Sequence, residues 1–153
     1  MISNLLDSAL KFLSYRPRSK KEIEIFLRKK TSDANLINET ISKLENLKLI
    51  NDEEFAKWLI ESRSRSRPRG TRLLAQELKQ KGIDAETIND YRMTTNDEIA
   101  LAEKALEKKV NYWFRLPERE FNQKAWRFLM TRGFSSSAIA AVVKKAYNES
   151  HVK

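Results

Sequence analysis

A short motif repeats three times along the chain, and this repeat limits the possible folds more than any other feature. The motifs LRKKTSDANLI, LKQKGIDAETI and LMTRGFSSSAI begin at Leu27, Leu78 and Leu129, so the spacing is 51 residues both times. Each motif has a basic residue three positions after its leucine and an isoleucine ten positions after it. Equal spacing of this kind is typical of tandem structural repeats that stack on their neighbours.

Each motif predicts a helix, a tight turn and a second helix. Gly82 and Gly133 follow a basic helix end, where glycine enters the left-handed backbone region at little cost, whereas the first copy has Thr31. Every copy then offers a polar residue that can cap the next helix: Asp33 or Ser32, Asp84, and Ser135 or Ser136.

A further amphipathic helix precedes each motif. In the first copy we expect its apolar face at Leu6, Leu10 and Leu13, which follow helical spacing. Ser19 and Glu22 have the spacing of a capping box at the start of the next helix. No segment has a convincing strand pattern, and a chain with only 3 Gly and 3 Pro favours long helices.

We therefore predict an all-α fold of three tandem three-helix repeats, at roughly residues 5–50, 51–92 and 97–149. Repeats this small bury too little surface alone, so we expect them to pack edge to edge in an elongated, curved, solenoid-like molecule. The alternative is one compact helical bundle in which the similarity between segments arises by chance.

Composition narrows the class of protein. The chain has 153 residues, 41% of them hydrophobic, which is enough for a core, and it has no cysteine, which excludes disulfides and fits a reducing compartment. No apolar run approaches the ~20 residues of a membrane span. The N-terminal segment lacks a basic region before a compact apolar block, so it does not resemble a signal peptide. We expect a cytoplasmic monomer without membrane contact.

The charge predicts an anionic partner, either nucleic acid or an acidic protein surface. The formal net charge is +9 and the pI is about 9.8. Between Arg63 and Lys81 there are seven cations and one acid, Glu77. Within this segment, Pro68 and Gly70 predict a loop with little side-chain burial, which either follows a partner or is simply solvated. Arginine suits such a partner because it makes planar, bidentate contacts with phosphates and carboxylates.

A second basic cluster lies at the first helix junction, around the helix-breaking Pro17. Its cations are not needed for capping, so binding and solvation remain equal alternatives. Together the two clusters give the candidate partner-binding or DNA-binding residues: Arg16, Arg18, Lys20, Lys21, Arg63, Arg65, Arg67, Arg69, Arg72, Lys79 and Lys81.

The aromatic run of Tyr112, Trp113 and Phe114 exceeds what one helix face can bury. Two interpretations stay open for it: packing between the second and third repeats, or stacking on a base or a partner side chain.

The sequence does not favour an enzyme. His151 is the single histidine, which argues against a histidine relay or a histidine-rich metal site, and neither GxxxxGK[ST] nor GxGxxG occurs. Asp52, Glu53 and Glu54 can in principle bind magnesium, but their place at a helix start is explained by capping and the helix dipole. We predict no catalytic residue, no cofactor and no metal.

The chain resembles the RecX family of recombinase regulators over nearly its whole length. The resemblance rests on ALKFLSYRPRSKKEIEIFLRKK, LKLINDEEFAKWLIESR and GTRLLAQELKQKGID, whereas the third repeat matches mainly by position and periodicity. Thr31 and Ser32 depart from the Gly–apolar pair that is more typical of the first turn. The resemblance implies a protein that binds the RecA filament on single-stranded DNA and mainly inhibits its recombinase, ATPase and co-protease activities.

Two other classes of function fit the same residues. One is a stand-alone nucleic-acid-binding protein with helix-turn-helix-like units, and the other is an adaptor that binds the recombinase without touching DNA. A regulator inhibits the recombinase at far below the amount that coats the DNA, whereas a DNA-binding protein inhibits only by masking the substrate.

Overall fold

The computed structural model describes residues 2–151, and this part of the chain consists of helices joined by short turns. The helices, in chain order, are α1 (Ile2–Tyr15), α2 (Lys20–Arg28), α3 (Ala34–Asn46), α4 (Asp52–Arg65), α5 (Thr71–Gln80), α6 (Ala85–Asp90), α7 (Thr95–Trp113), α8 (Glu118–Thr131) and α9 (Ser136–Ser150). Strands are absent from the described residues, which confirms the predicted all-α class. The helices form three successive groups of three.

The predicted helix starts are observed. Ser19 begins α2 with a complete capping box, and Asp33, Asp84 and Ser135 are the N-caps of α3, α6 and α9. Asn51 caps α4 through its side-chain oxygen, which accepts hydrogen bonds from the N–H groups of two following residues. These short polar side chains stabilise helix starts because they accept from N–H groups that have no partner within the helix.

The chain divides into two compact units. The first unit comprises the chain up to Leu59 together with Leu78–Tyr91, and the second comprises Ile60–Glu77 together with the chain from Arg92 onward. The boundaries after Leu59 and Glu77 fall inside α4 and α5 of the middle group, and the boundary after Tyr91 follows α6. The predicted repeat limits therefore stay a prediction.

The first unit has its core between α1, α2 and α3. Ala9, Ile23, Leu27 and Leu44 are fully buried there, and the rings of Phe12 and Phe26 stack beside them. The predicted face of α1 is wrong at one position, because Leu10 is 38% exposed. The buried side of α1 is centred on Leu5 and Ala9.

The second unit has its core between α7, α8 and α9. The fully buried members are Ala102, Phe121, Ala125, Leu129 and Ile139, and Phe134 seals the turn between α8 and α9. The motif leucine Leu129 is fully buried in this core, and the motif leucine Leu78, which belongs to the first unit, is 2% exposed.

The two turn glycines have a packing role besides their backbone role. Gly82 has φ +83°, and a Cβ there would lie 2.6 Å from the Cβ of Lys21 at the start of α2. Gly133 has φ +84°, and a Cβ there would collide with Leu73 at the start of α5. Each glycine therefore lets a turn approach the first turn of an earlier helix, 61 or 60 residues before it.

The first motif has no such constraint. Positive φ occurs at Lys48, Arg67, Gly82 and Gly133 within residues 2–151, and not at Thr31. The N–H groups of Lys30 and Thr31 instead bond to the carbonyl of Leu27, so α2 ends without a left-handed residue. This explains why the first copy of the motif can do without glycine.

Candidate partner-binding surface

The first predicted cluster is built around the carboxylate of Glu22. In the first unit this carboxylate accepts a bidentate pair from Arg16, one bond of it at 3.2 Å, and it lies 3.2 Å from Lys81 Nζ. It also accepts from the backbone N–H of Ser19. Burial alone would raise the pKa of Glu22, but these hydrogen bonds outweigh it and hold the pKa below its ordinary value. Arg16 and Lys81 are thus engaged within the fold.

Arg18 is held against aromatic carbon. Its guanidinium lies 3.7 Å from the ring centroid of Phe12, and its Nε donates to the carbonyl of Phe12 at 3.3 Å. Burial, and then the neighbouring Arg16, lower the pKa of Arg18 from its ordinary value. A guanidinium that is stacked on a ring in this way contributes to packing as well as to the surface charge.

The two lysines of this junction also have structural contacts. The backbone N–H of Lys20 donates to Asp52 at 2.9 Å, and its ammonium lies 3.9 Å from Glu45. Lys21 donates from Nζ to the carbonyl of Gln80, and its side-chain stem lies against Gly82. The residues of the first cluster therefore make contacts within the first unit. The side chains of Lys20 and Lys21 nevertheless remain exposed.

The arginine-rich segment is a loop only between α4 and α5. The predicted loop is wrong for Arg63 and Arg65, which lie on α4, and for Arg72, which lies on α5. The expectation of little burial is also wrong, since Pro68 and Gly70 are buried. Gly70 donates its N–H to the carbonyl of Arg132 at 2.8 Å, and a Cβ there would collide with Phe134.

Two arginines of this segment share one carboxylate. Arg63 makes a bidentate pair with Glu77, with Nη2–Oε2 at 2.6 Å, and Arg69 Nη1 lies 3.1 Å from Oε1 of the same residue. The pKa of Arg63 is raised, chiefly by its hydrogen bonds to Glu77. These arginines contribute to the fold of the second unit, so reversing the charge of Arg69 would place two like charges at a half-buried site.

Three of the predicted cations remain available to a partner. Within residues 2–151, Arg65, Arg67 and Lys79 make no side-chain hydrogen bond or ion pair, and all three are exposed. Arg67 also has φ 52°, a backbone conformation that is uncommon for a residue with a side chain. Arg72 is exposed as well, although its Nη2 donates to the carbonyl of Met130 at 2.9 Å.

Arg132 lies beside the loop between α4 and α5 in the second unit, and it is absent from the residues predicted above. Its Nη1 lies 3.4 Å from the carbonyl of Pro68, between Arg67 and Arg69 in the chain, and its guanidinium covers Phe128. Burial, and then the charges of Arg67 and Arg69, lower the pKa of Arg132. The available sequence signal was the basic residue that follows each motif leucine by three positions.

Glu98 is a second residue that the sequence did not reveal. It is 4% exposed, and its carboxylate accepts from the N–H of Thr71 at 3.0 Å and from the N–H and hydroxyl of Ser135 at 3.1 and 2.7 Å. Burial would raise the pKa of Glu98, but these bonds outweigh it and lower the pKa. One carboxylate on α7 thus joins the start of α5 to the start of α9.

The aromatic run on α7 is divided between two environments. Trp113 packs edge-on against Phe128, with 6.1 Å between ring centroids, whereas Tyr112 is 79% exposed and Phe114 is 37% exposed. The observed packing of Trp113 is therefore within the last group of helices, between α7 and α8. Trp126 and Met130 on α8 are further exposed apolar side chains, at 38% and 42%.

Other kinds of site find no support in the described residues. No group of three or more histidine, cysteine, aspartate or glutamate side chains there is arranged to hold a metal ion. His151 stacks on Tyr147 at the end of α9. None of the helices in residues 2–151 has the length and apolar content that crossing a membrane requires.

The fold and the charge define the class of the chain first: it is an all-helical repeat protein with a net positive charge. Three family descriptions match it in order: "RecX, first three-helix domain" at residues 6–44, "RecX, second three-helix domain" at 51–91 and "RecX, third three-helix domain" at 96–143. The chain belongs to the RecX family.

Curated relatives and a solved structure agree with this assignment. The chain is 36% identical over 137 residues to the regulatory protein RecX of Bacillus subtilis, covering 88% of this chain and 52% of that protein. It is 35% identical over 136 residues to the regulatory protein RecX of Pelodictyon phaeoclathratiforme, covering 89% and 84%. The crystal structure of RecX from Lactobacillus salivarius superposes with a TM-score of 0.83 at 30% identity, covering 95% of this chain and 96% of that one. The chain spans about half the length of the Bacillus subtilis relative.

Proposed function

We propose that this protein regulates a recombinase: it binds the RecA filament on single-stranded DNA and inhibits the recombinase, ATPase and co-protease activities of that filament. Membership of a family whose curated members are named regulatory proteins is the observation that carries the proposal. We also propose that the protein acts without catalysing a reaction, as a monomer in the cytoplasm; the absence of cysteine fits a reducing compartment.

The structure supports a division of roles among the predicted cations. Arg16, Arg18 and Lys81 are committed to contacts inside the first unit, whereas Arg65 and Arg67 are exposed and unpaired. An unpaired surface arginine gains more from a phosphate or carboxylate of a partner than one that must first leave an internal pair. We therefore assign partner contact chiefly to Arg65 and Arg67.

The test is the ATPase activity of RecA on single-stranded DNA while this protein is added in increasing amounts. We expect inhibition at far less protein than is needed to cover the DNA. A stand-alone DNA-binding protein, which the net charge of +9 also favours, inhibits only near the covering amount. An adaptor without DNA contact binds free RecA, and its affinity depends only weakly on salt. Inhibition only at the covering amount would therefore contradict the regulatory proposal.

A charge-reversal variant tests the arginine assignment. Arg65→Glu with Arg67→Glu should leave thermal unfolding nearly unchanged, because neither side chain has a partner to lose, and should strongly weaken filament binding and inhibition. Arg69 is kept, since it pairs with Glu77. The matched control reverses two exposed lysines of the first unit, Lys29→Glu with Lys43→Glu, which changes the net charge equally. Equal loss in both variants would mean that only total charge matters.

A further inference from the structure

Helix α8 exposes a face that mixes basic and apolar residues. Arg119, Gln123, Trp126 and Met130 follow the i, i+4, i+7, i+11 spacing that places residues on one side of a helix, and all of them are exposed. With a rise of 1.5 Å per residue, this face is about 16 Å long. That length corresponds to a few nucleotides of an extended single strand.

The C-terminal end of this face lies beside Arg72 and Arg132 of the same unit. The carbonyl of Met130 accepts from Arg72, and Arg132, two residues further along the chain, reaches the carbonyl of Pro68, next to Arg67. Trp126 lies one helical turn before Met130, so the exposed indole and these arginines lie toward the same end of α8. We name the set Arg67, Arg72, Arg119, Trp126, Met130 and Arg132 the α8 track.

The charges at the end of the α8 track have no acid to neutralise them. Neither Arg67 nor Arg132 forms an ion pair within residues 2–151, and burial, followed by the positive charges of Arg67 and Arg69, lowers the pKa of Arg132. Like charges held this close repel one another. An anion bound between them would relieve that repulsion, which makes the surface complementary to phosphate.

The exposed tryptophan is particular to this copy of the repeat. The residues 51 and 102 positions before Trp126 are Ala75 and Glu24, neither of which can stack on a base. An indole beside arginines is the combination that binds single strands, because phosphates meet the cations while an unpaired base covers the ring. Bases of a duplex are already stacked on each other and do not offer their faces.

We propose that the α8 track binds single-stranded nucleic acid, with phosphates at Arg67 and Arg132 and one base stacked on Trp126. This site deepens the proposed function, on which it rests, by assigning the contact with the DNA strand to one face of the second unit.

The experiment measures binding of the full chain to a fluorescent fifteen-nucleotide oligothymidine and to a fifteen-base-pair duplex over a range of salt concentrations. Trp126→Ala should weaken oligothymidine binding by roughly 5–150-fold, the range one aromatic–base stack contributes, and should change duplex binding less than about twofold. Arg67→Ala should weaken both, and should reduce the salt slope by about 0.7 for the single strand.

Matched controls are available on the same unit. Tyr112→Ala removes an aromatic side chain that is 79% exposed on α7, and Arg127→Ala removes an exposed arginine from another side of α8. Both should leave oligothymidine binding within about twofold of the unaltered protein. Thermal unfolding of each variant checks that it remains folded, and Trp126→Phe, which keeps an aromatic ring, should restore most of the binding.

The outcomes separate this site from the proposed function. If the unaltered protein inhibits RecA but Trp126→Ala binds oligothymidine normally, the α8 track is wrong and the regulatory proposal stands. If Trp126→Ala loses only binding to free RecA, the face docks a protein and the proposal of a nucleic-acid site is overturned. If Trp126→Ala loses oligothymidine binding while the unaltered protein fails to inhibit RecA, the site stands without the regulatory function.

Discussion

Replacing Glu98 by alanine should destabilise the protein more than any substitution of a surface acid. The carboxylate is 4% exposed and accepts hydrogen bonds from Thr71 and Ser135. A hydrogen bond to a charged group contributes about 1.5–3 kcal/mol, and a buried donor left without a partner costs about 1–3 kcal/mol. Because the three bonds share one carboxylate and are not additive, we expect Glu98→Ala to lose about 3–5 kcal/mol of unfolding free energy.

The Glu98→Gln variant separates the contribution of the charge to stability from the contribution of the side chain's shape. The amide keeps one acceptor oxygen but turns an NH₂ group toward backbone donors, so we expect a smaller loss, about 1–3 kcal/mol. Glu107 on the same helix is exposed, and Glu107→Gln is the control, with a change of about 0.5 kcal/mol or less. Urea unfolding followed by circular dichroism measures all three variants. A loss below 1 kcal/mol for Glu98→Ala would refute the reasoning.

The dependence of the unfolding free energy on pH below 7 tests the role of the Glu98 charge independently. Because the folded state lowers the pKa of Glu98, its contribution is fully present above the unfolded pKa of glutamate, about 4.3, and is lost as the pH falls through the lower folded-state pKa. The difference in unfolding free energy between the unaltered protein and Glu98→Gln should therefore shrink as the pH falls from 7 toward 3. A difference that stays constant over this range would show that the charge of Glu98 contributes nothing.

Three further predictions concern a motif leucine and two positions with positive φ. Leu78→Ala should cost about 2–5 kcal/mol in urea unfolding, because Leu78 is 2% exposed, whereas Leu47→Ala, at 52% exposed, should change stability by about 0.5 kcal/mol or less; equal effects would show that the motif leucine is misplaced. Gly133→Ala should cost more than about 2 kcal/mol, since φ +84° disfavours a Cβ by about 1–2 kcal/mol and that Cβ would also collide with Leu73. Lys48→Gly should have the opposite sign, a gain of about 0.5–1 kcal/mol, because φ is 58° there and the residue is exposed; a melting temperature that changes in the same direction for both would contradict this account.

The sequence by itself determined the all-helical class, the repeat and most helix starts. These features depend on local interactions, because a cap such as Asp84 or Ser135 acts on N–H groups within three residues of it. The burial of the motif leucines Leu78 and Leu129 could also be predicted, because helical periodicity places them on an apolar face without knowledge of the partner helix. Family resemblance added the proposed partner, which no pattern of charge could specify.

Only the tertiary structure decided which cations are free. Arg63 and Arg65 are two residues apart and look alike in the sequence, but Arg63 meets Glu77, fourteen positions away, when α4 and α5 come together, and Arg65 stays in solvent. In the same way Arg132 reaches the loop at Pro68, 64 residues before it, and Glu98 joins two distant helix starts. Charge density along a chain is a local property, whereas an ion pair depends on which segments the folded core brings together. The cations that are available to a partner can therefore be identified only when the internal ion pairs are known.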